Sequence, residues 1–318
     1  MALKAFCGPD GGDADIDTAR WIDLLNPTED EIGRVEQRFA ITVPSRESLS
    51  EIEASSRLRA DRGTLIMSAP LISRDGETHV LSPTGFILMR DVLVTVRFAG
   101  LAAFDEVRET LGKGNHTAGA REILVRLLEE VVDRAADRLE RVAENIADAS
   151  LAIFREPEKH NHRLSHETRR LRELMIQLGR DSEQMVKVRH AFLAIGRIAV
   201  FVTDRCEPKI EKDIRDRLAS ISHDIASLDE FESSLSGRIQ FLLDAAVGFI
   251  SMEQNDVVKV LTVVSVAGVP PVLVAGVYGM NFRYMPELAW PWGYPFAIAL
   301  MIASTILPVL WFKWRDWL

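Results

Sequence analysis

The stretch Tyr-Gly-Met-Asn-Phe at residues 278–282 lies between two long apolar runs, and this placement decides the fold. The runs, Val260 to Phe282 and Leu288 to Phe312, contain no Asp, Glu, Lys or Arg. At about 1.5 Å per residue, a helix over either run is long enough to cross a hydrocarbon layer roughly 30 Å thick. Since only residues 283–287 separate the runs, the chain is predicted to enter a membrane, turn at once and return.

Charge divides the chain into an acidic part and a nearly neutral part. The formal net charge is -9 at pH 7, and the residues after Lys259 carry a net +1, so residues 1–259 carry -10. An acidic surface repels the phosphates of nucleic acids and attracts cations. The composition therefore predicts no nucleic-acid partner and suits cations.

Residues around the second run predict its orientation. Lys313 and Arg315 give a basic excess that is typical of a cytoplasmic segment, so a cytoplasmic C-terminus is expected. Two crossings of the lipid bilayer then place the N-terminal part in the cytoplasm as well. Trp and Tyr residues at both ends of the run are typical of membrane interfaces, with core packing as the alternative. No basic segment leads into an apolar run within residues 1–12, so no cleaved signal peptide is expected.

The first 120 residues are predicted to form a cytoplasmic α/β domain. Short apolar runs at 65–67, 86–89 and 92–96 indicate strands. Thr28 and Glu31 have the spacing of a helix capping box. The only two cysteines, Cys7 and Cys206, lie far apart without a CxxC motif, which predicts reduced thiols.

Apolar residues at helical spacing dominate from Arg121 onwards. The pattern from Pro208 to about Gly276 is uninterrupted and predicts one helix of roughly 100 Å. A helix of that length cannot be buried within one subunit, so self-assembly is expected. The predicted fold class is an α+β membrane protein with long helices. The predicted segments after the first domain are a helical hairpin at 121–207, a stalk helix at 208–259 and a transmembrane hairpin at 260–318, with spans at about 260–279 and 290–312.

One face of the predicted stalk and first span has the spacing of a coiled-coil seam. Two spans cannot enclose a pore, so a pore would lie on a symmetry axis between several copies. Simple helix packing and a pore wall with a hydrophobic gate explain the seam equally well. A kink at Pro270-Pro271 is also expected. The candidate pore-lining residues are Asn255, Val258, Leu261, Ser265, Val269, Val272 and Gly276.

The turn between the spans offers groups that suit a hydrated cation. Gly279 lets backbone carbonyls approach a ligand, and Asn281 supplies a neutral amide oxygen. Such groups can hydrogen-bond the water around Mg²⁺, which dehydrates reluctantly, whereas a ring of carboxylates would hold the ion too tightly. Glu287 would place one carboxylate per subunit near the entrance. An ordinary turn is the alternative.

These residues resemble the signature of the CorA family of magnesium transporters. Its most specific part is Gly279-Met280-Asn281 between two C-terminal spans, followed by Met-Pro-Glu-Leu at 285–288. Residues 248–250, 253–255 and 270–271 resemble the proteobacterial Mg²⁺/Co²⁺ branch. Further blocks at 21–24, 51–57 and 93–97 extend the resemblance over nearly the whole chain.

The resemblance implies a funnel-shaped homopentameric channel in the bacterial inner (plasma) membrane. It would carry Mg²⁺ inward, and also Co²⁺ or Ni²⁺, through a selectivity filter at Gly279, Met280 and Asn281. Mg²⁺ would also be the regulatory ligand, bound by carboxylates between subunits to close the pore. The family often has an Asp-His pair in the stalk where this chain has His223-Asp224, so the sensor does not transfer directly. The candidate sensor residues are Asp244, Asp224 and Asp216.

Other functions stay open at this point. A zinc transporter of the same superfamily is one alternative, although the residues after Asn281 follow the magnesium pattern. A membrane-anchored sensor or scaffold explains the charge and the spans but not the turn. His160, His162 and His166 have metal-ligand residue types, which an exposed helix start explains equally well. The sequence has no P-loop and no recognisable nucleophile–base set, so an enzyme is not expected.

Overall fold

The computed structural model describes most of the chain, in two compact units. Residue contacts group Met1–Arg155 with Leu174–Leu242 in the first unit, and Glu156–Glu173 with Leu243–Leu318 in the second. The predicted division into four segments is not tested by this grouping and stays a prediction. The described residues are 3–6, 16–51, 53, 57–75, 78–113, 118–154, 164–280, 285–286 and 290–315.

A six-stranded mixed sheet lies in the first unit. Its order is β1-β2-β6-β5-β4-β3, in which β2 and β6 are parallel and all other neighbours are antiparallel. The three predicted strands are confirmed, but two of them are longer than predicted. Pro70 and Pro83 interrupt the apolar pattern there, yet they face each other in register between β4 and β5. The strands are β1 (Leu3–Phe6), β2 (Trp21–Leu25), β3 (Leu58–Asp61), β4 (Thr64–Asp75), β5 (Thr78–Leu88) and β6 (Leu93–Arg97).

Apolar side chains bury both faces of the sheet. On one face, Ile22 and Val94 belong to a core cluster that includes Val35 of helix α1 (Glu29–Phe39) and Leu49 of α2 (Arg46–Leu49). On the other face, the ring of Phe104 in α3 (Ala102–Lys113) lies 6.2 Å from the ring of Trp21 and 6.1 Å from that of Phe86. The predicted capping box is confirmed, since Thr28 N–H donates to Glu31 Oε2 at 2.9 Å and Glu31 N–H donates to Thr28 Oγ1 at 3.4 Å.

Four long helices make up the rest of the described chain. They are α4 (Ala120–Phe154), α5 (Leu164–Arg205), α6 (Lys212–Tyr278) and α7 (Gly293–Trp314). The predicted long helix is confirmed: α6 has 67 residues and continues through Pro270 and Pro271, although it begins at Lys212 rather than Pro208. Among the described helices, α6 and α7 are long and apolar enough to cross a membrane.

Side-chain pairs connect α4, α5 and α6 within the first unit. Arg217 Nε on α6 donates to Glu129 Oε1 on α4 at 2.8 Å, and the rings of Phe154 and Phe241 stack at 5.9 Å. Between α4 and α5, Asn145 Nδ2 donates to Asp181 Oδ1 at 3.2 Å. Since Asp181 is only 3% exposed and no donor among the described residues reaches its Oδ2, this carboxylate is poorly stabilised in its charged form.

The variant Asp181→Asn is expected to raise the stability of the α4–α5 contact at neutral pH. Burial raises the pKa of Asp181 against the opposing effect of the Asn145 hydrogen bond, so ionisation at neutral pH costs folding free energy. The gain, about 1 kcal/mol, should shrink as the pH falls toward the ordinary carboxyl pKa of about 3.9. Thermal unfolding of both proteins at several pH values measures it, and an unchanged or lowered midpoint for Asp181→Asn at pH 7.5 would contradict the prediction.

Candidate ion pathway

All seven predicted seam residues lie on one exposed face of α6. Leu261 is 64% exposed and Val272 is 70% exposed, whereas Val263 on the opposite face is only 8% exposed. Ala267, Pro270 and Val274 continue that opposite face at helical spacing and are half-buried. The chain therefore covers one side of its first candidate span and leaves the seam uncovered.

The composition of the uncovered face suits contact with other helices. Ser265 and Gly276 are small residues of the kind that let membrane helices approach each other closely. Asn255, one turn before the apolar run, adds a polar amide to the same face. The small residues therefore suit this face to close contact with another helix, and the amide of Asn255 lies just outside the apolar run.

The first two residues of the predicted selectivity filter, Gly279 and Met280, directly follow the end of α6. Gly279 N–H donates to Ala275 O at 2.9 Å, and Met280 N–H donates to Val277 O at 3.3 Å, so helical pairing continues past Tyr278. A Cβ atom placed on Gly279 would lie 3.0 Å from the carbonyl oxygen of Ala275, which is closer than real side chains normally allow. Glycine fits this position because it is small. Asn281 and Glu287 lie outside the described residues, so their roles stay predictions.

The three sensor candidates are exposed along α6, and one of them faces further acids. Asp224 lies near Asp133 of α4. Burial raises the pKa of Asp133, and the negative charges of Glu129, Asp137 and Asp224 raise it further. Within the described part of the chain, no three His, Cys, Asp or Glu residues form a group that could hold a metal ion. Asp216, Asp224 and Asp244 belong to no such group among the described residues, and their role as a sensor stays a prediction.

The acidic row on α4 was not predicted from the sequence. Glu129, Asp133 and Asp137 recur every four residues, which places them on one face of a helix, and this spacing could have revealed the row. Its proximity to Asp224 depends on how α4 packs against α6. The histidine alternative is not tested, because His160 and His162 lie outside the described residues and only the backbone of His166 is described.

Aromatic residues at the two ends of α7 are exposed rather than buried in a core. Trp292 and Tyr294 near its start are 68% and 78% exposed, and Trp314 at its end is 80% exposed. Arg315 lies over the ring of Trp311 at 5.7 Å. Exposed aromatic rings at both ends of an apolar helix are typical of a membrane span, and core packing within one chain is wrong for these residues.

Comparisons with known proteins agree with this architecture. Residues 17–314 match the family described as CorA-like Mg²⁺ transporter protein. The chain is similar to the magnesium transport protein CorA of Yersinia pseudotuberculosis, with 33% identity over 96% of this chain and 93% of that protein. It is also 33% identical to that of Escherichia coli K12, over 94% and 92% of the two chains. The CorA magnesium transporter from Methanocaldococcus jannaschii has the same fold, with a TM-score of 0.77, 17% identity and full coverage of both chains.

Proposed function

We propose that this chain, which belongs to the CorA-like Mg²⁺ transporter family, carries Mg²⁺ across a membrane. The observation that supports the proposal most strongly is the extent of the family match. It reaches residue 314 and so includes both candidate spans and the turn between them. Relatives that are similar over almost their whole length carry the name magnesium transport protein.

The proposed pathway lies on the symmetry axis of a homopentamer. The α6 seam of each subunit would line it, since the chain leaves this face uncovered. A ring of Gly279, Met280 and Asn281 would select hydrated divalent cations at one end, with Glu287 concentrating them at the entrance. Co²⁺ and Ni²⁺ carry the same charge and would follow the same path.

Inward transport needs no chemical energy source. Moving a divalent cation inward releases roughly 4.6 kcal/mol per 100 mV of inside-negative potential, twice the value for a single charge. With the filter at the outer face and the acidic part in the cytoplasm, an entering cation would meet the filter first. We infer an inner-membrane location with both termini in the cytoplasm, which Lys313 and Arg315 beyond the second span support.

Closure is proposed to depend on cytoplasmic Mg²⁺ bound between subunits. Carboxylates that repel each other across the subunits would be brought together by the cation, and the Val and Leu rings of the seam would then exclude water. Asp244 is the strongest sensor candidate by sequence, because it lies near the seam. The acids around Asp133 add a concentrated negative surface beside Asp224.

Uptake into proteoliposomes tests the proposal. With an internal Mg²⁺ indicator and an inside-negative potential, the wild-type protein should admit Mg²⁺, and Mg²⁺ on the cytoplasmic face should suppress this flux. The variant Leu261→Ser would hydrate the proposed apolar gate and should weaken the suppression. Absence of any flux from well-assembled protein would favour a sensor or scaffold, and Zn²⁺ flux that depends on a pH gradient would favour a zinc transporter.

A further inference from the structure

Five basic residues meet on the surface of the first unit, although residues 1–259 are strongly acidic overall. Arg74 and His79 are directly opposite each other on β4 and β5. Lys187 Nζ on α5 donates to the backbone oxygen of His79 at 2.8 Å. Arg138 and Arg141 on α4 are close enough to act electrostatically on His79. We call these five residues the basic cluster.

The basic cluster contains arrangements of neighbouring positive charges that normally destabilise strands and helices. Like charges directly opposite on paired strands repel, as do like charges three or four residues apart on a helix. Protonation of His79 would place such a like charge opposite Arg74 on the neighbouring strand, and Arg138 has Arg141 and Arg134 as like-charged neighbours on its helix. Repulsive arrangements that coincide at one place are expected where a protein binds something, because the ligand compensates for them.

Arg138 is the least compensated member of the basic cluster. It is half-buried, and within the described residues no carboxylate lies at ion-pair distance from it or from Arg141, whose Nε donates only to Asp137 O at 3.2 Å. Burial and the charges of Arg141 and Arg134 lower the pKa of Arg138, with only Asp137 opposing. A half-buried cation without a carboxylate at ion-pair distance is costly, so an anion is expected beside it.

His79 experiences the same positive field. Burial lowers its pKa first, followed by the charges of Arg138, Arg74, Arg141 and Lys187. Among the described residues, Asp137 on α4 acts on Arg138, and Glu183 on α5 is paired with Lys187 at 2.7 Å. The basic cluster therefore keeps an excess of positive charge around the imidazole.

We propose that Arg74, His79, Arg138, Arg141 and Lys187 form a binding site for a small, multiply charged phosphate anion. Guanidinium groups donate paired hydrogen bonds that match the oxygens of phosphate, and several converging cations favour a multivalent ligand. A small anion also reaches the half-buried Arg138 more easily than a carboxylate on another folded surface does. Both inorganic polyphosphates and nucleoside triphosphates present this chemistry. The site is independent of the proposed Mg²⁺ transport.

Isothermal titration of the full-length protein with inorganic tripolyphosphate, in Mg²⁺-free buffer of low ionic strength, tests the site. The wild type should bind, and Arg138→Gln and Arg141→Gln should each weaken binding about tenfold, the loss of one charge-assisted contact. Arg126→Gln is the matched control, since Arg126 lies on the same helix and pairs with Glu122 at 2.6 Å. Competition by adenosine triphosphate distinguishes the nucleotide from the inorganic source.

Proton linkage provides a second readout. An anion favours the protonated imidazole, so the ratio of wild-type affinity to that of His79→Gln should be higher at pH 6 than at pH 8, a comparison in which protonation of tripolyphosphate itself cancels. No binding by the wild type, or equal binding by Arg138→Gln, Arg141→Gln and Arg126→Gln, would overturn the proposal. The proposal would also be overturned if Arg138→Gln dissociated the oligomer while the wild type bound no anion. The basic cluster would then be a contact between subunits.

Discussion

Replacing Asn281 with alanine is expected to reduce Mg²⁺ uptake into proteoliposomes to the level of empty liposomes. In the proposed filter, one amide oxygen per subunit accepts hydrogen bonds from the water around the cation. Alanine removes the whole ring of acceptors at once, because the same residue recurs in every copy. Without these acceptors, no hydrogen bond at the narrow end of the pathway would offset the free energy that a hydrated cation loses on leaving bulk water.

Two further variants distinguish loss of the Asn281 amide from a general loss of folding or assembly. Gln177→Ala removes the same kind of amide from an exposed position on α5 and should leave uptake unchanged. Asn281→Asp would turn the ring into carboxylates, which hold divalent ions longer, so uptake should be slow although Mg²⁺ still binds. If correctly assembled Asn281→Ala transports Mg²⁺ at the wild-type rate, the filter is misplaced while transport itself stands.

Structural features that depend on residues close together in the sequence could be predicted. The charge-free runs correctly predicted two candidate spans, since length and composition alone determine whether a helix can cross a membrane. The helical pattern of α6 was continuous through Pro270 and Pro271, and so is the helix. The capping box at Thr28 and Glu31 is equally local, because its partners are three residues apart.

Features that depend on contacts between distant segments could not be predicted. Periodicity placed Val258 and Val272 on one face of α6 but could not say whether the rest of the chain covers that face. The row of acids on α4 was visible only as spacing, and its closeness to Asp224 needs the packing of two helices. The blocks at 21–24 and 93–97 resembled a family pattern without any indication that they form neighbouring parallel strands.

That strand pairing creates a buried ion pair. Asp23 and Arg97 have side chains only 3% exposed, and Arg97 donates to Asp23 Oδ2 from Nη2 at 2.8 Å and to Oδ1 from Nε at 3.1 Å. Thr95 Oγ1 donates to Asp23 Oδ1 at 2.8 Å and accepts from Trp21 Nε1 at 3.0 Å. Arg97 Nη1 donates to Ala99 O at 3.2 Å. Both charges are therefore well satisfied inside the core.

Truncating either partner, as Asp23→Ala or Arg97→Ala, is expected to cost about 3–5 kcal/mol of folding free energy, because the remaining charge stays buried and unpaired. A loss of that size is a large fraction of the roughly 5–15 kcal/mol that a domain normally has. Hydrogen exchange measured by mass spectrometry on the full-length protein should show faster exchange in β2 and β6. Arg169→Ala, at a pair whose side chains are 79% and 67% exposed, is the control and should change little.

The double variant Asp23→Leu with Arg97→Met shows whether the cost of each truncation comes from the unpaired buried charge or from the lost attraction of the ion pair. If the cost of each truncation is mainly the unpaired buried charge, removing both charges with side chains of similar volume should protect β2 and β6 better than either truncation does. If the ion pair itself supplies the stability, the double variant should exchange at least as fast as the single ones. We expect the first result, because desolvation of two charges in a core consumes most of what their attraction contributes. The pair would then serve mainly to fix the register between β2 and β6, and equal or faster exchange in the double variant would contradict this.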